Sequence, residues 1–336
     1  MIKVKLSIMP DWPIIRQTAK EMGVWDNYQF FINQDVKEYD WWVVYDRLIK
    51  EEACFCPKEH TIIILGEPAS VKKYNHKYLK QFSKVITCQT GIKHPRVINS
   101  QMSLAWIVGK KVRNRISLGF TKNYDELKNI KHFNKKKLLS TVTSNKNFTE
   151  GHRKRLDFIK KMQSHFKDKL DVYGPGSGIY GSNDDPIKFK YHEDKWNAIA
   201  DYKYHVVIEN SSYPHYWTEK LTDCFLAGAF PFYYGCDNIY QYFPNNSLAV
   251  IDIDKPEEAI SIIENGIKNN YYEKNVDKIM KSRELILDKY QLFPALTQYL
   301  KGDGENKVKL KIKPEEHFQK YNLFNLLQKV KRKIIK

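Results

Sequence analysis

The chain has 336 residues, enough for two domains or one large one with a full hydrophobic core. Its 42% hydrophobic, 28% charged and 14% aromatic residues exclude a collagenous, low-complexity or wholly disordered chain. The net charge of +17 predicts attraction to polyanions such as phosphosugars, nucleic acid or anionic lipid, and ten Lys or Arg against two Glu from Asn306 to Lys336 place nearly half of it in one stretch.

Met1-Ile2-Lys3-Val4-Lys5 alternates charged and apolar side chains, so a secretory signal is not expected. Without an apolar run of about 18 residues no segment reads as a spanning helix, and the chain is expected to be soluble or to sit on a membrane surface. Five cysteines, at 54, 56, 88, 224 and 236, lack paired C-x-x-C spacing and fit reduced thiols of a cytosolic protein rather than a disulfide frame or zinc site. In chain order, Lys3 to Met9, Trp41 to Tyr45, Thr61 to Leu65 and Lys84 to Thr87 are short β-branched or aromatic runs bounded by polar stretches, the pattern of strands in a parallel α/β sheet. Trp41-Trp42 suits a strand core, or an aromatic platform for a sugar.

A lysine-rich connector, Lys128 to Lys137, then leads to the apolar strand Leu138 to Thr143 and a second α/β series. Domains are therefore expected at 1–135 and 136–305, with a basic tail at 306–336. Leu156, Ile159, Met162 and Phe166 repeat at helical period. Gly174-Pro175-Gly176-Ser177-Gly178 with Gly181 reads as a turn, or as backbone N–H groups approaching a phosphate. Tyr204 to Ile208 reads as a buried strand, Thr218 to Ala227 as a helix with Leu221, Cys224 and Phe225 on one face and Gly228 as its stop, and Ala229 to Tyr234 as the next strand.

The loop Glu209 to Trp217 thus joins a strand end to a helix start, where open α/β sheets bind ligands and free N–H groups favour anions. Lys220 and that helix start suit a diphosphate, and Glu219 with Asn210 the hydroxyls of a ribose or hexose; alternatively, Glu219 and Lys220 face water on a capped helix. Asp252-Ile253-Asp254 is a D-x-D that ends a strand or clasps a divalent cation. From Phe318 the pattern turns helical, with Leu323, Leu326, Leu327, Val330 and Ile334 as a stripe among basic residues. Such a helix lies in an anionic bilayer interface or packs on the protein.

Glu209-Asn210-Ser211, Tyr216-Trp217-Thr218-Glu219-Lys220, Ala227-Gly228-Ala229-Phe230-Pro231, Gly235 and Phe243-Pro244-Asn245-Asn246-Ser247 together resemble the C-terminal signature of the α-1,3-fucosyltransferases of glycosyltransferase family 10. Upstream, Ser144-Asn145 and Arg155-x-x-Phe158 resemble the family's Ser-Asn and Arg-x-x-Phe segment, and Gly66-Glu67-Pro68 resembles the element that supplies its base. The resemblance implies a GT-B fold of α/β class: two Rossmann-like domains facing a cleft, acceptor on the first and GDP-fucose on the second. It implies inverting transfer of L-fucose to a hydroxyl of a surface glycan containing N-acetylglucosamine and galactose, with α-1,3 linkage and a lipopolysaccharide-type acceptor.

Carried onto matching positions, Glu67 is the base, Arg155 and Lys220 hold the phosphates, Glu219 the ribose, and Asn210 and Tyr216 the nucleotide or fucose, with Ser144 and Asn145 also at the donor. No metal is required, Mn²⁺ stimulating at most. Read without the family, Glu67 is a turn carboxylate before Pro68, and Arg153 competes with Arg155 for the phosphate. The expected partners are a GDP-sugar, a glycan acceptor and an anionic membrane surface reached through the tail, which places the protein in the cytoplasm on the inner membrane face. The alternative keeps fold and donor site but uses another nucleotide sugar. A polyanion- or nucleic-acid-binding protein is a remote alternative, since the chain shows no recognition helix, zinc finger or RNA-recognition motif. Dimerisation through C-terminal heptads is not supported, because the chain has none.

Overall fold

A computed structural model describes residues 1–10, 12–113, 116–147, 150–174, 178–180, 187–302, 304 and 306–318. The chain divides into two compact units, each a mixed α/β layer structure on a parallel sheet. The first comprises Met1–Trp12, Tyr28–Asn99 and the chain from Gly302, and the second Pro13–Asn27 and Ser100–Lys301.

In the first unit six parallel strands lie in the order Tyr28–Ile32, Ile2–Ser7, Trp41–Tyr45, Thr61–Ile64, Lys84–Thr87 and Val97–Asn99. The two central strands, Trp41–Tyr45 and Thr61–Ile64, are buried along their whole length. That is why they read as unbroken apolar runs rather than alternating ones. Trp41 and Trp42 are 2% and 0% exposed, so the pair is core and not a sugar platform. Trp41 stacks on His60 at 3.8 Å, and the Trp42 indole N–H donates to Ser7 Oγ at 3.1 Å.

The second unit places its parallel strands in the order Ile187–Tyr191, Leu170–Gly174, Lys137–Val142, Tyr202–Ile208, Phe230–Tyr234 and Ala249–Val250. Counted along the chain this is 3-2-1-4-5-6, the doubly wound arrangement in which the order of strand addition reverses between the first and fourth strands. Helix Glu150–Phe166 buries Leu156, Phe158, Ile159, Met162 and Phe166, and helix Glu219–Leu226 buries Leu221, Cys224 and Phe225. The helical period read from the sequence is thus the packing period, and the first helix begins at Glu150, six residues before the pattern's first member, Leu156.

The unit boundaries differ from the expected 1–135, 136–305 and 306–336, because tertiary contacts assign the flanking segments. Trp106, Val108 and Leu127 belong to the core of the second unit. Arg16 donates to the carbonyls of Trp106, Val108 and Lys122, and the buried Asp223 carboxylate accepts the N–H groups of Ile107 and Val108. At the other end, strand Lys307–Ile312 pairs antiparallel with Glu52–Pro57, so the start of the expected tail is sheet in the first unit. The amphipathic stretch beyond Phe318, and Pro175, Gly176, Ser177 and Gly181 of the glycine-rich run, lie outside the described residues. All five cysteines are buried, and none of them forms a disulfide. Among the described residues no helix is long and apolar enough to cross a membrane.

Candidate functional site

The reversal point of the second unit is where its polar residues gather. Strand Lys137–Val142 runs out into Ser144, and its neighbour Tyr202–Ile208 into Glu209 and Asn210. Arg155, on helix Glu150–Phe166, spans the two strand ends. It donates to Asn210 Oδ1 at 2.8 Å and to the Ser144 carbonyl and hydroxyl oxygens, each at 3.3 Å. Arg155 is 5% exposed, and its Nε finds no partner among the described residues. Burial lowers the Arg155 pKa, and the Glu209 carboxylate opposes that shift. Arg153, two residues earlier, is exposed and donates to the Asn147 carbonyl at 3.4 Å, so Arg155 is the arginine brought to Ser144 and Asn210.

Close approach of the helix to the strand end depends on Gly151, since a Cβ there would collide with the Asn210 carbonyl oxygen. Gly235 has the same role after strand Phe230–Tyr234. A Cβ would stand 2.5 Å from the Tyr233 hydroxyl and 2.6 Å from Glu209 Cγ.

Glu209 holds the start of the next helix. Its carboxylate accepts from the Thr218 N–H at 2.8 Å, the Thr218 hydroxyl at 2.7 Å and Lys220 Nζ at 3.2 Å. Thr218 caps helix Glu219–Leu226, and Lys220 Nζ also reaches Glu219 Oε1 at 3.3 Å. Burial raises Glu209, with Lys220 opposing; against the cost of burial, Lys220 and then Lys195 hold Glu219 below its ordinary value. Lys220 is raised in turn, because the attraction of Glu209 and Glu219 outweighs its desolvation. His152 is held below its ordinary value by burial and then by Arg155, Lys146 and Lys220, which marks this end of the sheet as electropositive. The site therefore offers cations and amide groups at one strand-end crevice, which suits an anion flanked by hydroxyls.

The remaining expected residues fall around this cluster. Tyr216 is buried beneath the loop, its carbonyl accepting from the Tyr233 hydroxyl at 3.5 Å, and Asn145 is exposed beside Ser144. Two further groups at this strand end were not among the residues expected from the sequence. Glu209 anchors both Thr218 and Lys220, and its signal was a lone carboxylate closing an apolar strand. His215, left-handed at φ 64°, accepts or donates at 2.5 Å with the Tyr242 hydroxyl, while its N–H donates to Asn238 Oδ1 at 2.7 Å. The D-x-D does not converge on a cation site. Asp252 accepts the Asp254 N–H at 3.0 Å, and Asp254 pairs with Lys154 at 2.9 Å. Among the described residues no group of three or more His, Cys, Asp or Glu is placed to hold a metal.

Glu67 belongs to the first unit. It follows strand Thr61–Ile64 at the carboxyl end of that sheet and is half-buried. Its N–H donates to the Tyr74 hydroxyl at 3.2 Å, and its carbonyl accepts from Gln89 Nε2 at 2.7 Å.

The family model for glycosyltransferase family 10 (fucosyltransferase), C-terminal part, matches residues 132–273, the stretch that builds the Arg155 and Lys220 clusters. Over that stretch the chain is similar to glycosyltransferase family 10. It is 26% identical over 161 residues to alpha-(1,3)-fucosyltransferase B of Drosophila melanogaster, covering 45% of this chain and 35% of that protein. It is 30% identical over 140 residues to the 4-galactosyl-N-acetylglucosaminide 3-alpha-L-fucosyltransferase 9 of Bos taurus, covering 41% and 35%. The matched stretch thus spans about a third of the length of these relatives, 35% in both. A crystal structure of an alpha1,3-fucosyltransferase with GDP aligns over 86% of this chain and 92% of that one, at 16% identity and a TM-score of 0.49.

Proposed function

We propose that the protein transfers L-fucose from GDP-fucose to a hydroxyl of a glycan containing N-acetylglucosamine or galactose, forming an α-1,3 linkage on a lipopolysaccharide-type acceptor. The observation that carries the reading is Arg155 bridging Ser144 and Asn210 at the reversal point of a 3-2-1-4-5-6 sheet, inside the family-matched stretch. In open α/β sheets that crevice receives nucleotides.

In this reading the two units are the halves of a GT-B enzyme, the second holding the donor and the first the acceptor. Arg155 offers a fork to one phosphate and Lys220 a point charge to the other. Lys220 is shared between Glu209 and Glu219. Glu219 turning to the ribose hydroxyls would free one Lys220 N–H for a phosphate oxygen, while Glu209 keeps the ammonium in place. Asn210 and Tyr216 contact the nucleotide or the sugar, with Ser144 and Asn145 beside them.

Chemistry is a single displacement. The acceptor oxygen bonds to C1 of fucose on the face opposite the diphosphate, the bond from C1 to the phosphate oxygen breaks, and GDP leaves with the electron pair. Glu67 takes the hydroxyl proton, and Arg155 and Lys220 stabilise the charge that develops on the leaving group. Because those two cations carry that charge, transfer is expected to persist in EDTA, with Mn²⁺ stimulating at most. The basic stretch beyond Phe318 would hold the enzyme on the inner face of the cytoplasmic membrane, near lipid-linked acceptors.

Titration calorimetry with GDP-fucose, GDP-mannose, UDP-galactose and UDP-N-acetylglucosamine tests the donor. GDP-fucose is expected to bind at least tenfold more tightly than the others. A preference for another nucleotide sugar would keep the site and replace the donor.

A further inference from the structure

The loop that presents Glu67 is fastened at both backbone groups, and the fastening leads to the far end of the chain. The Glu67 N–H donates to the Tyr74 hydroxyl, which itself donates to Asp46 Oδ1. Asp46 sits at φ 62° just after strand Trp41–Tyr45, and its N–H donates to the Ile64 carbonyl at 2.7 Å, tying it to the strand from which the Glu67 loop departs. Gln89 Nε2 donates to the carbonyls of Glu67 at 2.7 Å and Lys72 at 3.0 Å, closing the loop from below. Lys72 Nζ lies 4.1 Å from the Tyr74 ring centroid and pairs with Asp46 at 3.4 Å and with Glu315 at 3.3 Å.

Glu315 comes from the segment that returns after the second unit. It is 5% exposed and accepts the Asn75 N–H at 2.6 Å, while Asn75 Nδ2 donates to the Phe318 carbonyl at 3.1 Å. Residues separated by 240 positions thus meet on the loop of eight residues that follows Glu67. A part-buried, mutually hydrogen-bonded set of this kind favours one geometry, because any member that moves breaks the bonds of its neighbours.

We propose that Tyr74, held by Asp46 and by the Lys72–Glu315 pair, is the positioning residue of Glu67, and that the returning segment Lys307–Phe318 completes the clasp. The proposal rests on the reading of Glu67 as the base. A base that must meet an acceptor hydroxyl within hydrogen-bond reach loses rate steeply when displaced, and about 1 Å is enough for roughly a hundredfold. Tyr74 touches no reacting atom; it sets where the Glu67 main chain stands.

The test uses the full chain with GDP-fucose and N-acetyllactosamine, measuring kcat, KM for both substrates, GDP affinity and the pH dependence of kcat/KM. Tyr74→Phe, which removes only the hydroxyl, is expected to lower kcat about 10- to 100-fold, to displace the acidic limb of the pH profile and to leave GDP affinity within twofold. Glu315→Ala is expected to reproduce a weaker form of the same change, and Glu315→Gln, which can still accept the Asn75 N–H, to recover most of it. If Tyr74→Phe does not fold, Asp46→Asn carries the test, because Asn tolerates the left-handed backbone and keeps an acceptor while losing the charge that faces Lys72.

Unchanged kcat and pH profile in these variants, with Glu67→Ala inactive, would overturn the clasp and leave the base reading standing. A loss of rate matched by an equal loss of GDP affinity or thermal stability, with the pH profile unmoved, would overturn it as well, by making the cluster merely structural. Glu67→Ala turning over like the parent, or no transfer by the parent chain, would remove the base reading and the clasp with it.

Discussion

Replacing Lys220 by Met removes one charge from a buried pair and leaves the other behind. Glu209 has a fully buried side chain, and Lys220 is its cationic partner at 3.2 Å. Removing one member of a buried pair costs about 3–5 kcal/mol. Glu209 keeps both bonds from Thr218 and the lysine side chain is 23% exposed, so the loss belongs near the lower end, about 3 kcal/mol at pH 8.

The loss depends on pH with a definite sign. Burial already raises Glu209, and removing the opposing Lys220 raises it further. Above about pH 4.3 the unfolded chain releases this proton while the folded chain keeps it, so the native state binds more protons and stability falls as pH rises through that window. The stability gap between parent and Lys220→Met should therefore widen from pH 5 to pH 8. Urea unfolding at the two pH values measures it. GDP titration at each pH should show affinity falling about tenfold or more, the worth of a charged hydrogen bond of about 1.5–3 kcal/mol. A gap below about 1 kcal/mol at pH 8, or one that grows on acidification, would refute the account of Glu209 as a buried carboxylate held by Lys220.

Three further outcomes follow from the same geometry. Glu67→Ala is expected to abolish transfer with GDP affinity within twofold of the parent, measured by calorimetry beside the rate assay; a matching loss of affinity would move Glu67 to donor binding or structure. Gly151→Ala forces its new Cβ against the Asn210 carbonyl oxygen, so GDP affinity should fall at least tenfold while Gly119→Ala, at a glycine with open space around its Cβ position but φ +103°, affects stability alone; equal GDP affinity in the two variants would show that Asn210 is not held by that approach. Truncation after Phe318, which spares Glu315 and its bonds, should release the protein from anionic vesicles in a flotation assay with transfer to a soluble acceptor retained, and a truncated chain that still floats would assign membrane binding elsewhere.

The strands and helices that carry Arg155, Glu209 and Lys220 were legible because their signals are local. Leu139, Val206, Phe232 and their neighbours form buried runs, and Leu221, Cys224 and Phe225 share one helix face. The sequence left Arg153 and Arg155 in competition, and only the folded helix separates them, with Arg155 on the buried face beside Phe158 and Ile159 and Arg153 exposed. The pairing of Glu209 with Thr218 and Lys220 joins positions nine and eleven apart across a loop and becomes visible only in three dimensions. Unit membership is longer-range still. Nothing in the sequence near Lys307 or Arg16 says that one pairs with Glu52–Pro57 and the other with the Trp106 carbonyl, so the expected boundaries followed composition where the fold follows contacts.

Arg155, Lys220 and Glu67 are proposed to serve transfer of fucose from a guanosine diphosphate donor. The direct measurement is to incubate the purified full chain with GDP-fucose and N-acetyllactosamine and to determine the product by nuclear magnetic resonance. One new α-linked fucose on the 3-hydroxyl of N-acetylglucosamine is expected, with release of one GDP per linkage. Hydrolysis of GDP-fucose without a glycan product, or no turnover of it while another nucleotide sugar is consumed, would contradict it.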